Sequence, residues 1–205
     1  MKKYLRLVKF SHTVFALPFA LLAFTLAVDA PGEGFSWYKL VMVLLCMVFA
    51  RNTAMGFNRW ADRNIDRLNP RTATREIPAG VVSVREAGTF VVINAILFVI
   101  AAFMINMLCG FLAPVALAVV MGYSYTKRVT PFCHMVLGLG LALAPVGAWL
   151  AVTGAFDALP ILLGVVVLFW VSGFDIIYAL QDIDFDREHD LRSIPSWLGA
   201  ERALS

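Results

Sequence analysis

GTFVVINAILFVIAAFMINMLCGFLAPVALAVVMGYSYT, from Gly88 to Thr126, contains no Asp, Glu, Lys or Arg. A helix needs about 20 apolar residues to cross a bilayer core. The stretch therefore predicts two membrane spans with a turn near Asn106 to Gly110. Strands do not fit, because the apolar runs do not alternate and an open sheet cannot sit in lipid. The same criterion carried outward gives six spans, at 10–28, 40–58, 89–107, 110–126, 135–153 and 160–181. Composition agrees: of 205 residues, 60% are hydrophobic and 15% charged, whereas a soluble domain is about a quarter charged. The predicted fold class is all-α, a multi-pass transmembrane helical bundle forming a single membrane domain over residues 1–205.

The basic start MKKYLRLVKF before an apolar run has the layout of a signal peptide. The run from Phe10 to Val28 is too long for a typical signal core and lacks a clear small-residue cleavage site, so it reads as the first span. Lys and Arg gather at the N-terminus, between Arg59 and Arg85, at Lys127–Arg128 and between Arg187 and Arg192. The opposite loops, near Pro31, Asn106 and Gly154, offer only Lys39. That bias predicts a cytoplasmic N-terminus and a cytoplasmic Arg-rich loop, in the inner membrane of a cell. The net charge of +3 sets basic loops beside anionic lipid or an anionic substrate. Those loops also carry many carboxylates, which argues against nucleic acid as a partner.

Cys46, Cys109 and Cys133 lie in apolar settings without metal-ligand spacing and read as small buried hydrophobes, with no disulfide. His12, His134 and His189 are scattered and read as structural or interfacial. No nucleophile elbow, P-loop or dinucleotide glycine motif occurs. After the sixth span, SIPSWLGAERALS resembles the start of a further helix with Ser196 as N-cap. It would need about 15 more residues to cross, so the chain is expected to be truncated at its C-terminus.

Chemistry concentrates in two acidic stretches. In NRWADRNIDRLNPRTATREIPAG (58–80), Asn58, Asp62 and Asp66 recur every four residues, which places them on one helical stripe. Two carboxylates and an amide oxygen suit a hard cation such as Mg2+, which shares oxygen ligands with phosphate. The alternative is a helix end with ordinary ion pairs to Arg59, Arg63 and Arg67. In DIIYALQDIDFDREHD (175–190), Asp182 and Asp186 repeat the spacing, with Asp184 between them and Tyr178 one turn earlier. Like charges at that spacing destabilise a helix, so two such clusters on one membrane face invite two Mg2+ ions bridged by a diphosphate.

YSYTKR (123–128) puts Tyr123 and Lys127 four apart at the end of the fourth span. Lys127 suits phosphate as a point charge, and an aromatic-belt tyrosine with a positive-inside lysine is the other reading. Arg51 interrupts the second span seven residues before Asn58. An intramembrane arginine costs at least a few kcal/mol unless it faces a polar cavity, so a cavity-lining role is favoured over snorkelling. A carboxylate substrate would satisfy it through two parallel bonds. Asp175 raises the same question in the sixth span, and a polar partner on a neighbouring span or a direct ligand role would each answer it.

Asn58 to Thr72 resembles the first aspartate-rich motif of the UbiA superfamily of intramembrane aromatic prenyltransferases. Asp182 to Asp186, with Tyr178 and the following HDLRSIPSWLG, resembles the second. Tyr123 and Lys127 are similar to the family's tyrosine–lysine pair, and HTVFALPFAL in the first span to the 4-hydroxybenzoate polyprenyltransferase branch. The resemblance covers essentially the whole chain. It implies nine helices, of which about six are present here, and a Mg2+-dependent transfer of a polyprenyl group from its diphosphate to an aromatic acid in respiratory quinone biosynthesis.

It further implies that Asp62, Asp66, Asp182 and Asp186 hold two Mg2+ ions, with Asp62 and Asp182 catalytic. Asn58, Arg71, Arg75, Tyr123 and Lys127 would bind the diphosphate, and Arg51 the aromatic acid. A naphthoate-type menaquinone precursor would suit Arg51 as well as 4-hydroxybenzoate does. From another class, a small cation-coupled transporter would also use acidic sites, but its charges belong near the membrane midplane, whereas these cluster at one face.

Overall fold

The computed structural model describes Tyr4, Leu7, Val8 and residues 16–204. The basic residues of the N-terminus, His12, and the first residues of the span expected at 10–28 lie outside them. Ten α-helices run in order through the described residues, and none of these residues forms a strand. They are α1 (Leu17–Val28), α2 (Trp37–Ala61), α3 (Arg63–Leu68), α4 (Val84–Ile105), α5 (Met107–Thr126), α6 (Cys133–Thr153), α7 (Ala158–Ala179), α8 (Ile183–Glu188), α9 (Ile194–Leu198) and α10 (Ala200–Ala203). A 3-10 turn, Leu180–Asp182, joins α7 to α8. Five helices, α2 and α4 to α7, are long and apolar enough to cross a membrane, and α1 is apolar but shorter within the described residues. The chain is a multi-pass integral membrane protein.

Local chemistry sets the ends of these helices. Ser36 Oγ accepts from the Lys39 amide at the start of α2. Ser83 and Glu86 form a reciprocal capping box on α4, satisfying two backbone donors that a helix start otherwise leaves open. The turn between the two charge-free spans shrinks to one residue. Asn106 is extended (φ −163°, ψ 165°), ends α4, and accepts from the Cys109 amide to open α5. The span expected from residue 110 therefore begins at Met107. α6 closes on Gly154 at φ 66°, a left-handed position where glycine carries no Cβ penalty. The expected N-cap Ser196 is corrected to Ser193, which caps α9 and shares a capping box with Ser196. Pro195 in the first turn fixes that start, since a proline there loses no helical bond.

The long helices alternate in direction, so one end of the bundle collects the close of α2, α5 and α7 with the start of α4 and α6. α7 packs on α6, α6 on α1 and α5, and α2 on α4 and α5. The core at the opposite end is rich in alanine: Ala20, Ala23 and Ala27 of α1 meet Ala148, Trp149 and Ala151 of α6. Small side chains let helix backbones approach closely where lipid supplies no hydrophobic drive. Outward faces carry Val92, Ile96, Phe111, Val166 and Phe169, all exposed, a surface that fits acyl chains and not water. α2, α4, α5, α6 and α7 leave a space between them.

Candidate functional site

The two acidic motifs meet at one end of that space. The stripe expected for Asn58, Asp62 and Asp66 survives with a break in it. α2 stops at Ala61, and Asp62 (φ −91°, ψ 4°) is both its C-cap and the N-cap of α3. The ladder nearly continues, since the Asp62 amide donates to Asn58 O and the Asp66 amide to Asp62 O. Asn58 Nδ2 donates to Asp62 Oδ2 at 3.1 Å. Asp182 likewise closes the 3-10 turn, and Asp186 lies in the short α8. Both motifs thus sit where a spanning helix gives way to a short one.

Each carboxylate is held by a cation from outside its own helix. Arg128 Nη2 lies 2.9 Å from Asp62 Oδ1 and also donates to Ala61 O. Arg75 Nη1 lies 2.6 Å from Asp66 Oδ1. Arg71 grips Asp182 with Nε and Nη2, and its Nη1 donates to the Tyr178 hydroxyl at 3.2 Å. Lys127 Nζ lies 2.7 Å from Asp186 Oδ1, and Ser193 Oγ donates to Oδ2. Asp186 is wholly buried, so removing Lys127 would strand a charge at a cost of about 3–5 kcal/mol.

The local pairing of the aspartates with Arg59, Arg63 and Arg67 does not occur. Arg63 instead lies over the Trp60 ring. Three links tie the motifs together: Arg71 grips Asp182, Asn69 Nδ2 donates to Asp182 Oδ1 at 3.1 Å, and the adjacent Lys127 and Arg128 connect Asp186 to Asp62. Burial pushes the Asp62 carboxyl above its ordinary range despite the opposing pull of Arg128. Burial would lower Arg71, but its bonds to Asp182 outweigh that and raise it.

Below this network lies a cavity of about 580 Å³. Its walls are mainly apolar, with Arg51, Asn58, Arg75, Tyr123, Asp175 and Tyr178 among the polar exceptions. Arg51 lines the cavity as expected, and its Nε has no hydrogen-bond partner. The four motif aspartates do not line it; they stand behind its polar end, each on its own cation. Arg71 and Lys127, expected to be free for an anion, are occupied by Asp182 and Asp186. Arg75 both lines the cavity and holds Asp66.

Sequence reasoning missed several members of the site. Arg128 was absorbed by the positive-inside pattern, and its only sequence signal is adjacency to Lys127. Asn69 and Ser193 reach the acids across sequence gaps that no spacing rule covers. Arg59 is 3% exposed, borders the cavity, and leaves Nε and Nη1 without partners. The polar neighbour sought for Asp175 is His134 on α6, with Nδ1 2.7 Å from Asp175 Oδ2.

The donor set fits a hard divalent ion. Asp62, Asp66, Asp182 and Asp186 offer carboxylate oxygens and Asn58 a carboxamide, and Asp66 Oδ2 is buried without a partner. Among the described residues no three acidic, His or Cys side chains converge on one point, because each acid is turned to its cation.

A family model, the UbiA prenyltransferase family, matches residues 16–205. The chain belongs to the UbiA prenyltransferase family. Among curated UbiA-family relatives, it is 30% identical to the 4-hydroxybenzoate octaprenyltransferase of Aliivibrio fischeri, over 84% of this chain and 59% of that protein. It is 33% identical to the enzyme of the same name from Albidiferax ferrireducens, over 83% of this chain and 57% of that protein. The chain thus spans under two thirds of the length of these relatives. Its structure resembles an apo UbiA homologue from Aeropyrum pernix with a TM-score of 0.86 and 36% identity, covering 94% of this chain and 72% of that one. A UbiA homologue from Archaeoglobus fulgidus bound to GPP and Mg2+ superposes with a TM-score of 0.78 and 27% identity, covering 98% and 71%.

Proposed function

We propose that the protein transfers a polyprenyl group from polyprenyl diphosphate to the ring of an aromatic acid, with Mg2+ as cofactor and 4-hydroxybenzoate as acceptor. The observation that carries this reading is the meeting of two acidic motifs above one mainly apolar cavity whose wall also holds Arg51. The relatives named for 4-hydroxybenzoate transfer, and the homologue holding GPP and Mg2+, support it.

On this reading Asp62, Asp66, Asp182 and Asp186 hold Mg2+, which when bound neutralises the diphosphate as a leaving group. The residues around them do the rest. Arg71, Arg75 and Lys127 exchange their carboxylates for phosphate oxygens, while Asn58 and Tyr123 contribute donors at the cavity's polar end. The apolar walls take the isoprenoid and keep water from the allylic cation. Arg51 grips the carboxylate of the acid. A transporter reading is weaker, since the charged network lies at one end of the bundle and not at mid-depth. The site end faces the cytoplasm of the inner membrane on this reading.

The test uses membranes carrying the full-length protein with labelled polyprenyl diphosphate. 4-Hydroxybenzoate and a naphthoate-type acid are offered separately and the product identified. Prenylated 4-hydroxybenzoate is expected. Product from the naphthoate alone would move the reading to menaquinone precursors, and no product from either would overturn it.

A further inference from the structure

Substitution on an aromatic ring displaces a proton, and the cavity wall holds a base outside both motifs. Resting on the aromatic prenyl transfer proposed above, we propose that Asp175, oriented by His134, accepts the ring proton of the acceptor. Among the described residues Asp175 is the one carboxylate that lines the cavity. It precedes Asp182 by seven residues along α7, about 10 Å deeper by helical rise. Arg51 precedes Asn58 by the same seven residues along α2, so an acid gripped by Arg51 lies at a similar depth to Asp175.

His134 is 2% exposed, with one nitrogen on each of two partners. Nε2 faces the backbone N–H of Ile194 at 3.3 Å, and Nδ1 faces Asp175 Oδ2 at 2.7 Å. A backbone amide can only donate, so Nε2 carries a lone pair and the ring proton sits on Nδ1. The imidazole is therefore neutral and donates to Asp175. Asp62, Asp66, Asp182 and Asp186 each face an arginine or lysine. Asp175 has a neutral partner on Oδ2, and Oδ1 has no protein partner among the described residues. A proton arriving there competes with no cation.

In the reaction the allylic C–O bond breaks and its electron pair leaves with the diphosphate. A ring π pair forms the new C–C bond, leaving an arenium cation. Asp175 Oδ1 takes the proton from the substituted ring carbon, and the C–H electron pair restores the aromatic ring. The neutral carboxylic acid gives the proton to water when product leaves. Charge is cancelled inside an apolar cavity at the step where a cation is costliest.

The competing role is structural, because the same pair also fastens α6, α7 and the Ile194 segment. The experiment separates the two in full-length protein, using polyprenyl diphosphate with 4-hydroxybenzoate either unlabelled or deuterated beside the hydroxyl. Asp175→Asn keeps an acceptor oxygen for His134. It is expected to lower kcat by about 100-fold, leave the KM for polyprenyl diphosphate unchanged, and show a deuterium isotope effect larger than wild type. Formate is expected to restore turnover in Asp175→Ala. Normal turnover in Asp175→Asn, a loss without the added isotope effect, or failure of both variants to fold would each overturn the proposal. Absence of prenylated acid with the wild-type protein is a separate result and sinks the transfer reading instead.

Discussion

Arg51 shows how far a single residue can be read from sequence. A guanidinium inside a span points to a cavity and not to lipid, and Arg51 lines one. Its unpartnered Nε still lacks an acceptor, which a ring carboxylate would provide. Arg51→Lys removes the planar fork while keeping the charge. The KM for the aromatic acid should rise by about 10- to 100-fold, corresponding to a charge-assisted bond of roughly 1.5–3 kcal/mol. The KM for polyprenyl diphosphate should stay nearly constant. A rise in the diphosphate constant alone would assign Arg51 to the phosphate end.

The aspartates carry a different expectation. Asp62→Ala, Asp66→Ala, Asp182→Ala and Asp186→Ala should each abolish transfer in the full-length protein, because on the proposed reading each removes a Mg2+ ligand worth several kcal/mol of leaving-group stabilisation. Near-normal turnover in any two at ordinary Mg2+ would refute the assignment, as would full activity after exhaustive chelation. Their partners were less legible. Spacing offers Arg59, Arg63 and Arg67, yet the acids chose Arg128, Arg75, Arg71 and Lys127. Helical spacing describes neighbours on one element, and these pairs form between elements.

At the level of elements, charge-free runs located the spanning helices well, because lipid tolerates little else over that length. The ends were harder. A single capped Asn106 replaced an expected turn, and the motif stripes broke at Asp62 and Asp182, where capping and 3-10 geometry decide. The α6–α7 contact depends on a glycine that sequence alone did not single out. A Cβ on Gly138 would lie 2.4 Å from Leu168 O and 2.5 Å from Ser172 Oγ. Ser172 Oγ donates to His134 O, one turn away on α6. Gly138→Ala must push α7 outward at this point, an overpacking that costs about 1–3 kcal/mol. Thermal unfolding in detergent should therefore fall for Gly138→Ala. Gly173→Ala, where an added Cβ meets nothing within 4 Å, should hold or rise, as an open helical glycine gains from replacement by alanine. Equal midpoints for the two variants would remove the close approach from the account.

Over the whole molecule, the ion pairs around the motif aspartates gather at one end of the bundle, and the other end is built differently. There Lys39 Nζ donates to Val152 O and pairs with Glu33, Asn106 Nδ2 donates to Leu150 O, and Tyr38 donates to Met104 O. On the orientation proposed above, the end that carries the site is the cytoplasmic one. Basic loops are retained on the cytoplasmic side during insertion, and the loops between α2 and α4 and between α5 and α6 contain Arg71, Arg75, Lys127 and Arg128. Arg67 and Asp184, both exposed, should therefore lie inside, and the exposed Asp157 at the start of α7 outside. In a background with Cys46, Cys109 and Cys133 replaced, a membrane-impermeant maleimide added to intact spheroplasts should label Asp157→Cys. Arg67→Cys and Asp184→Cys should react only after lysis. Labelling of Arg67→Cys from outside would invert the topology, and the diphosphate would then have to reach the site from the side opposite the cytoplasm.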